Sequence, residues 1–273
     1  MNLLIFTNRD LASNLMLNCL LPHVHTSVKQ IFVSDKVGKS TSVAPKGLRE
    51  MKFFEQTLPN QLLFPQLDAQ ERPLDTKLLT FKELSKKYKI PLVSWNDVKT
   101  EESLAAIRAL APDLVLSVRY GKIFGNDFLN IPRLGVINFH SGRLPNYRGV
   151  LAIFRALANG DTHINGTLHY ISDSSIDTGD VIGFSTLEVS PQQSLLWHIL
   201  GLYPASVELV VHTIQQISEG IRPPALPQHE ADSQYFTFPT EAEIAAFEAK
   251  GWRLYDVEEY ELFIKQYVEE YVA

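Results

Sequence analysis

The sequence predicts an α/β fold in which a mostly parallel, twisted sheet of the Rossmann-like type carries helices on both faces. Short apolar segments alternate with amphipathic ones near the start of the chain, as in successive βαβ units. Residues 113–118, D-L-V-L-S-V, and residues 135–139, G-V-I-N-F, are continuous apolar runs. Such runs are typical of strands that are buried on both faces of a parallel sheet. A short helical C-terminal extension is predicted to follow this core.

The other elements follow from local periodicity. Short apolar runs between turn-forming residues indicate strands, and apolar residues spaced three and four apart indicate helices. Pro204 should bend the longest helix, and Gly220 should end it. The predicted strands are residues 2–6, 30–34, 91–94, 113–118, 135–139, 166–172 and 180–189. The predicted helices are residues 11–21, 76–89, 100–110, 150–159, 192–219, 241–251 and 256–271.

The alternation is interrupted between residues 35 and 75. This segment is polar and contains prolines at positions 45, 59, 65 and 73. Two short helical pieces are predicted within it, at residues 46–57 and 60–68. We expect the segment to cross the sheet edge and to form one wall of a pocket.

Composition bounds the class of protein. The chain of 273 residues is 45% hydrophobic and 21% charged, which is ordinary for a soluble globular protein. Its length suits one main domain, predicted at residues 1–224, with an extension at residues 225–273. Cys19 is the single cysteine, so no internal disulfide can form, which fits a reducing cytosol.

Hydropathy argues against a secreted or membrane protein, and charge argues against a nucleic-acid-binding protein. The first apolar run is too short for a signal-peptide core, and no later run approaches the ~18 apolar residues of a membrane span. A cytoplasmic protein with no membrane partner is therefore predicted. The net charge is −6, which disfavours nucleic acid as a partner because binding to a phosphate backbone relies on basic surface.

Two polar segments follow predicted strands at the edge of the sheet where ligands bind in open α/β folds. The first is N-F-H-S-G-R-L-P-N-Y-R-G at residues 138–149, and the second is D-S-S-I-D-T-G-D at residues 173–180. Asn138 and His140 are two residues apart on a strand, so their side chains should point to the same side. Asp177 lies in a tight turn that could present its carboxylate to the same edge.

An imidazole, an amide and a carboxylate together suit acyl transfer to an amine. The attacking amine must lose a proton, and histidine is the side chain that accepts one near neutral pH. Asn138 and His140 could stabilise the oxyanion of the tetrahedral intermediate. Asp177 could orient His140 or a water molecule, and burial is expected to raise the pKa of Asp177.

Each of these residues also has an ordinary structural interpretation. Asn138 and His140 alone could be a hydrogen-bonded structural pair, Asp177 alone a turn-forming residue and Arg148 alone a surface cation. His163 and His169 flank the predicted hairpin and are interpreted as surface or core-edge residues. His23-x-His25 lacks further ligands at useful spacing, and no metal site is predicted.

In combination, the two segments resemble the N10-formyltetrahydrofolate-dependent formyltransferases. The family pattern Asn-x-His-x-Ser-Leu-Leu-Pro-x-x-Arg-Gly, followed by Leu-Asp-x-Gly about thirty residues later, is similar to residues 138–149 and 176–179 here. The resemblance implies that Asn138, His140 and Asp177 are the catalytic residues of a formyltransferase fold and that N10-formyltetrahydrofolate is the formyl donor. Donor contacts are expected from Tyr120, Gly121, Lys122, Ile123, Gly142, Arg143, Leu144 and Pro145. Acceptor contacts are expected from Arg119, Tyr147 and Arg148.

The sequence departs from the family pattern at Gly142 and Arg143, where the family usually has Ser and Leu. These positions lie against the folate in relatives, so donor binding is expected to differ in detail. Because Arg143 replaces an apolar residue, it is expected to approach the polar edge or the glutamate tail of the donor.

Four functions are compatible with this resemblance. They are N-formylation of a small amine such as a nucleotide-linked amino sugar, N-formylation of methionyl-tRNA, hydrolysis of formyl-folate, and a non-catalytic sensor. Methionyl-tRNA formyltransferase carries a basic C-terminal β-barrel, whereas residues 228–273 here read as helices with eleven Asp or Glu against three Lys or Arg. The hydrolase carries an N-terminal regulatory domain, and a sensor would have little reason to retain the three polar residues. A small amine is therefore the expected acceptor, and aromatic residues in the last fifty positions would permit a homodimer.

Overall fold

The computed structural model of the chain describes residues 1–35, 44–70 and 72–269. Its strands are β1 (Leu3–Asn8), β2 (Val28–Ser34), β3 (Leu92–Ser94), β4 (Leu114–Val118), β5 (Val136–His140), β6 (Arg148–Gly149), β7 (His163–Ile171), β8 (Val181–Glu188) and β9 (Tyr235–Phe236). Its helices are α1 (Leu11–Val24), α2 (Lys46–Lys52), α3 (Phe64–Ala69), α4 (Phe81–Tyr88), α5 (Glu101–Ala109), α6 (Asn126–Leu129), α7 (Ala152–Asn159), α8 (Leu195–Ala205), α9 (Val207–Ser218), α10 (Glu241–Ala249) and α11 (Val257–Lys265).

Seven strands form one sheet in the order β3-β2-β1-β4-β5-β7-β8. The first five of these are parallel to one another, and β7 and β8 are antiparallel neighbours at one side. The chain progresses outward from β1 in one direction and then returns to add β4 and β5 on the other side. This confirms the predicted mostly parallel α/β sheet and places its topological switch point between β1 and β4.

The alternation of side chains along β1 shows how the sheet separates two hydrophobic clusters. Leu3 and Ile5 belong to the larger cluster, whereas Leu4 and Phe6 belong to the smaller one on the opposite face. All four are at most 1% exposed. A strand whose two side-chain rows are both buried needs helices on both faces, which explains the continuous apolar runs in the sequence.

Several helix boundaries differ from the predicted ones because of local capping. The helix predicted at residues 76–89 begins only at Phe81, since Thr80 forms a capping box with Glu83. The helix predicted from residue 150 begins at Ala152, after Leu151 in a left-handed conformation. The last helix ends at Lys265 rather than at residue 271, and residues 270–273 lie outside the described part of the chain.

The segment predicted to leave the sheet is helical over most of its described length. Helix α2 continues into two π-helical turns at Phe53–Thr57 and Pro59–Leu63, and these continue into α3. The two predicted helical pieces are therefore confirmed, although they join into one irregular run. Residues 36–43 of this segment lie outside the described residues.

The C-terminal helices pack onto the body of the protein. Phe247, Leu254, Tyr260 and Tyr267 belong to the larger hydrophobic cluster. The rings of Phe247 and Phe154 lie 4.6 Å apart. The extension therefore shares the core that the sheet and its helices form.

The segment Leu195–Ser218, which comprises α8 and α9, is by length and composition long and apolar enough to cross a membrane. In the structure 56% of its most apolar window is buried inside the protein. It packs against α1 on the larger hydrophobic cluster, as a core helix of a globular domain does.

Candidate active site

Two of the predicted site residues lie on β5, at the carboxyl end of the parallel strands. Asn138 and His140 project from one side of β5, and Phe139 between them projects into the larger hydrophobic cluster on the other side. The His140 side chain is 8% exposed. The strand therefore places an amide and an imidazole side by side, as the spacing of two residues predicts.

The third predicted residue, Asp177, reaches the same point from the turn before β8. Its Oδ2 lies 3.4 Å from Nδ1 of His140 and accepts a hydrogen bond of 2.9 Å from the backbone N–H of Gly149. The backbone of Asp177 adopts a left-handed conformation with a φ of 55°. Residues other than glycine rarely adopt this conformation, so the surrounding structure must hold it in place.

A second histidine completes the group. His169 on β7 lies directly opposite Asn138 in the antiparallel ladder between β5 and β7. Its Nε2 lies 3.1 Å from Nδ2 of Asn138 and 3.7 Å from Oδ1 of Asp177, and its side chain is 2% exposed. The prediction that His169 is a surface or core-edge residue was therefore wrong. Cross-strand partners share a face of the sheet, so the β5–β7 register was the signal that could have identified it.

The hydrogen bonds of the two histidines define which nitrogens carry protons. Nε2 of His140 lies 2.7 Å from the Tyr147 carbonyl oxygen, and Nδ1 of His169 lies 2.8 Å from that of Tyr170. A carbonyl only accepts, so both of these nitrogens donate. In the neutral rings, Nδ1 of His140 is then the unprotonated nitrogen beside Asp177, and Nε2 of His169 accepts from Asn138.

This arrangement leaves one N–H of the Asn138 amide available, since an amide nitrogen carries two hydrogens and His169 accepts only one. The group can therefore supply a hydrogen-bond donor, a proton acceptor and a carboxylate at one point. Amine acylation requires these three functions: oxyanion stabilisation, proton transfer and orientation of the base.

The charge of Asp177 is stabilised by its surroundings. Burial alone would raise its pKa, but positive charge on His140 and His169, when they are protonated, and the Gly149 N–H outweigh burial and hold the pKa of Asp177 well below its usual range. The expectation of a raised pKa was therefore wrong. It considered only desolvation and not the three groups that favour the carboxylate form.

Arg148 and Tyr147, which were predicted to contact the acceptor, make protein contacts in the structure. The guanidinium of Arg148 donates to the carbonyl of Ile176 at 2.7 Å and 3.0 Å and to the hydroxyl of Ser233 at 2.9 Å. The Tyr147 hydroxyl donates to Asp161 at 2.8 Å. Both side chains thus brace the loops around the candidate site.

Arg119 does not fit the predicted role of a cation for an acceptor. Its guanidinium lies between the carboxylates of Asp10, at 2.9 Å, and Glu55, and also donates to the Tyr203 hydroxyl at 3.0 Å. The Asp10 side chain is 0% exposed and that of Arg119 is 19% exposed. The charge of Arg119 is therefore already neutralised inside the protein. The prediction that Arg119 contacts the acceptor was wrong, because its guanidinium is used in these internal contacts.

The predicted donor loop is only partly accessible. The Tyr120 ring is buried in the smaller hydrophobic cluster, and its hydroxyl donates to the Trp95 carbonyl at 2.9 Å. Ile123 is 46% exposed, and Gly121 and Lys122 are partly exposed. A donor could thus contact residues 121–123, whereas the prediction of a contact with the Tyr120 side chain is not supported.

The second predicted donor segment is a turn held by Thr167. The Thr167 hydroxyl donates to the Gly142 carbonyl at 2.5 Å and accepts from the Leu144 N–H at 3.2 Å. Leu144 is 2% exposed, so its side chain belongs to the core. Arg143 is exposed, with its guanidinium carbon 4.8 Å from the centre of the Phe184 ring, and Pro145 is partly exposed.

Gly142 is required sterically where the family pattern usually has serine. A Cβ at this position would lie 2.3 Å from the Ala152 side chain and 2.8 Å from Nε2 of His140. The same Cβ would lie 3.0 Å from the Tyr147 carbonyl that accepts from His140. The glycine therefore permits the contact that fixes the His140 ring.

A cavity of about 270 Å³ lies elsewhere on the protein. It is lined by polar and aromatic side chains near the end of β1 and around α3 and α4, and none of the residues that line it belongs to the group around Asp177. Its lining residues are Arg9, Asn60, Phe64, Pro65, Asp68, Phe81, Lys82, Ser85 and Leu92.

Part of the chain is similar to known proteins. Residues 67–196 match the family model described as formyl transferase. The chain is 33% identical to the methionyl-tRNA formyltransferase of Moorella thermoacetica over 146 residues, which cover 54% of this chain and 46% of the relative. It is 37% identical to that of a Synechococcus strain over 134 residues, 49% of this chain and 41% of the relative. The chain thus spans about half the length of the curated relatives it matches.

Solved structures with the same fold include an N-formyltransferase and a glycinamide ribonucleotide transformylase. The N-formyltransferase from Helicobacter canadensis in complex with folinic acid and dTDP-3-aminofucose has a TM-score of 0.55 at 17% identity, covering 95% of this chain and 85% of that one. The glycinamide ribonucleotide transformylase 1 from Symbiobacterium toebii has a TM-score of 0.57 at 12% identity, covering 84% of this chain and 94% of that one. The chain therefore has the fold of these formyltransferases, and its residues 67–196 match the formyl transferase family.

Proposed function

We propose that the protein is an N-formyltransferase that transfers a formyl group from N10-formyltetrahydrofolate to an amine. The observation that carries the proposal is the convergence of Asn138, His140 and Asp177 at the carboxyl end of β5. These residues come from two distant segments, and a purely structural hydrogen-bonded pair would not require all three. The match of residues 67–196 to the formyl transferase family supports the same reaction.

The chemistry at this point is a single acyl transfer. The amine attacks the formyl carbon, and the formyl oxygen becomes an oxyanion that the remaining N–H of Asn138 can stabilise. The attacking nitrogen loses one proton to His140, and the imidazolium is stabilised by Asp177 next to Nδ1. The bond from carbon to N10 then breaks, N10 receives the proton, and the products are the N-formyl amine and tetrahydrofolate.

The donor is proposed to bind between the exposed residues 121–123 and the turn at residues 142–145. Both segments are adjacent to the strands that carry the candidate site, and both leave some of their side chains accessible. The N-formyltransferase from Helicobacter canadensis, which was solved with folinic acid, supports a folate as the donor. No metal is required in this scheme, because protein hydrogen bonds stabilise the oxyanion.

A small amine, such as a nucleotide-linked amino sugar, is the proposed acceptor. The described part of the C-terminal segment includes the helices α10 and α11, which are rich in glutamate, and α10 contacts α7 through the ion pair of Glu243 with Arg155. A tRNA acceptor must have several phosphates neutralised, so an acidic surface here would repel it. The N-formyltransferase from Helicobacter canadensis, which was solved with dTDP-3-aminofucose, supports this acceptor class. A cytoplasmic enzyme fits both the folate donor and this acceptor.

Methionyl-tRNA is the second candidate acceptor. The observation that favours it is sequence identity of 31–38% with methionyl-tRNA formyltransferases over 109–157 residues. Those segments cover 35–49% of the length of the relatives. They therefore support the reaction more strongly than they support the acceptor.

A parallel assay tests the proposal. Purified protein and formyl-folate are incubated at moderate salt with initiator methionyl-tRNA, with a panel of amino-sugar nucleotides, and with water alone as the acceptor. Formylation of at least one amino sugar supports the proposed function. Efficient formylation of tRNA with none of the panel turned over would replace the acceptor, release of formate alone would indicate a hydrolase, and no turnover of the donor in any arm would reject formyl transfer.

A further inference from the structure

A strap formed by residues 226–236 crosses both loops that build the candidate site. It is bonded through its backbone to the turn that carries Asp177 and to the segment that follows His140. These two loops are about thirty residues apart in sequence, and the strap lies about fifty residues further along the chain. The bonds are Val181 N to Leu226 O (2.8 Å), Leu226 N to Val181 O (2.9 Å), Gln234 N to Pro145 O (3.1 Å), Arg148 N to Gln234 O (2.9 Å) and Val150 N to Phe236 O (3.0 Å).

One side chain of the strap holds the Asp177 turn directly. Nε2 of Gln228 donates to the Asp177 carbonyl at 3.0 Å and to the Gly179 carbonyl at 2.8 Å. Both hydrogens of the amide are therefore used on the two residues that flank Thr178. These two bonds fix a turn whose first residue has a left-handed backbone, with a φ of 55°.

The position of this turn determines where the Asp177 carboxylate lies. Oδ2 accepts from Gly149 N at 2.9 Å and faces Nδ1 of His140 at 3.4 Å. A small rotation of the turn would move the carboxylate away from both groups. On the other side of the turn, the Ile176 carbonyl accepts from Arg148, which also donates to Ser233 of the strap.

We propose that Gln228 is a positioning residue for formyl transfer, which acts through Asp177 by clamping the two carbonyls of its turn. The inference rests on the proposed function for its kinetic consequence, but the clamp itself is a property of the structure. Gln228 need not touch either substrate. Its effect is to keep the carboxylate where it can stabilise the proton on His140.

The backbone bonds of the strap allow the side chain to be tested without removing the strap. Gln228→Met keeps the length of the side chain and removes both donors. Gln228→Glu also removes the donors and places a carboxylate against two carbonyl oxygens, so its effect should be larger. Gln234→Met is the matched control, because Gln234 is on the same strap and its side chain is exposed.

Two readouts separate positioning from a general loss of structure. The first is steady-state kinetics with formyl-folate and whichever amine is accepted. We expect Gln228→Met to lower kcat by about 10-fold, with the KM for formyl-folate changed by less than about 2-fold. The second is hydrogen exchange of the Gly149 amide, whose bond to Asp177 reports the position of the carboxylate without any turnover. It should exchange at least about 5-fold faster in Gln228→Met and remain unchanged in Gln234→Met.

The outcomes are distinct. A Gln228→Met protein with unchanged kcat overturns the proposal, whether or not Gly149 exchange changes. An equal loss in Gln234→Met overturns it as well, because the strap and not Gln228 would then be responsible. If the wild-type protein transfers no formyl group to any acceptor, the proposed function fails. In that case unchanged Gly149 exchange in Gln228→Met would reject the clamp, and faster exchange would uphold it for whatever reaction Asp177 serves.

Discussion

Two buried groups of charged residues lie at the same edge of the sheet, but they differ in what they leave unpaired. At the end of β5, Asp177 faces two histidines and one N–H of Asn138 remains available. At the switch point between β1 and β4, Arg119 is enclosed by Asp10 and Glu55. The first group retains hydrogen-bonding capacity for a substrate, whereas the second uses its charges within the protein.

The second group also occupies the place where many α/β proteins bind phosphate. Helix α1 begins after the switch point, and its first turn is capped by Asp10, whose Oδ1 accepts from Ser13 N at 2.7 Å. A carboxylate already satisfies the helix N-terminus that could otherwise attract an anion. A phosphorylated acceptor of the proposed class would therefore be expected to bind elsewhere along the edge.

The largest expected effect concerns the stability of the switch-point group. Arg119→Met leaves Asp10 and Glu55 buried without their cation, so the free energy of unfolding should fall by about 3–5 kcal/mol. Urea unfolding measures this value. Arg133→Met is the control, because Arg133 pairs with Asp113 at a side-chain exposure of 71%, and its loss should cost less than about 1 kcal/mol. Equal losses in the two variants would show that the Arg119 group is not a structural centre.

A second prediction addresses the other group by its kinetics. His140→Ala and Asn138→Ala should each lower kcat by about 10²-fold or more, since each removes transition-state stabilisation. His169→Ala should lower kcat less, by about 10-fold, because His169 orients Asn138 rather than the substrate. The free energy of unfolding of each variant, measured in urea, shows whether the loss is kinetic. A near-wild-type rate from His140→Ala would remove it from the mechanism.

The sequence was sufficient for the seven strands of the main sheet and for the motif on β5, because both depend on local patterns, but it did not predict the short strands β6 and β9. Alternation and apolar runs predicted the sheet, and the spacing of Asn138 and His140 predicted that they share a face. The parts that depend on distant partners were not predicted. His169 joins the site only through the antiparallel register of β7 against β5, and Arg119 is neutralised by residues about 110 and 65 positions earlier in the chain.

The predicted direction of the pKa shift of Asp177 was wrong for a related reason. Burial can be anticipated from an apolar neighbourhood, but the compensating contacts cannot. His140, His169 and the Gly149 N–H are brought to Asp177 by three different elements. The sequence therefore indicated that the Asp177 carboxylate is buried, and only the fold shows which groups stabilise its ionised form.

A third prediction uses pH to contrast the two groups. Burial, together with the nearby Asp10 carboxylate, outweighs Arg119 and raises the pKa of Glu55 to about 7 from its ordinary 4.5. A raised pKa favours the protonated form in the folded state, so this contribution to stability is complete below pH 4.5 and is lost as the pH rises through about 7. The pH dependence that Asp177 contributes has the opposite sign. Its pKa is lowered in the folded state, so its contribution to stability is complete above the ordinary pKa of an aspartate and is lost as the pH falls below that value.

Glu55→Gln should therefore flatten the fall in unfolding free energy between about pH 5 and 8, by roughly 2 kcal/mol over that range. Urea unfolding at a series of pH values measures the slope. Glu50→Gln is the control, because Glu50 lies on the adjacent helix α2 with 42% of its side chain exposed. A slope that is the same in the wild type and in Glu55→Gln would show that Glu55 is not the titrating group.

The smallest expected effect concerns Arg143, one of the two positions at which the turn beside the candidate site departs from the family pattern. Its guanidinium stacks on Phe184, which is 41% exposed, so the side chain is held at the surface next to the proposed donor site. Arg143→Leu restores the apolar residue that the family usually has. It should change the free energy of unfolding by less than about 1 kcal/mol, because an exposed cation–π contact contributes little.

If Arg143 contacts the glutamate tail of the folate, the Kd of 5-formyltetrahydrofolate should rise about 3-fold in this variant, and the difference should diminish at high salt. Phe184→Leu tests whether stacking orients the arginine, since it removes the ring and keeps the charge, and it should give a smaller increase. Calorimetric titration at two salt concentrations measures both variants. Tighter binding by Arg143→Leu at either salt concentration would contradict the donor contact and would show that the arginine impedes the folate rather than holding it.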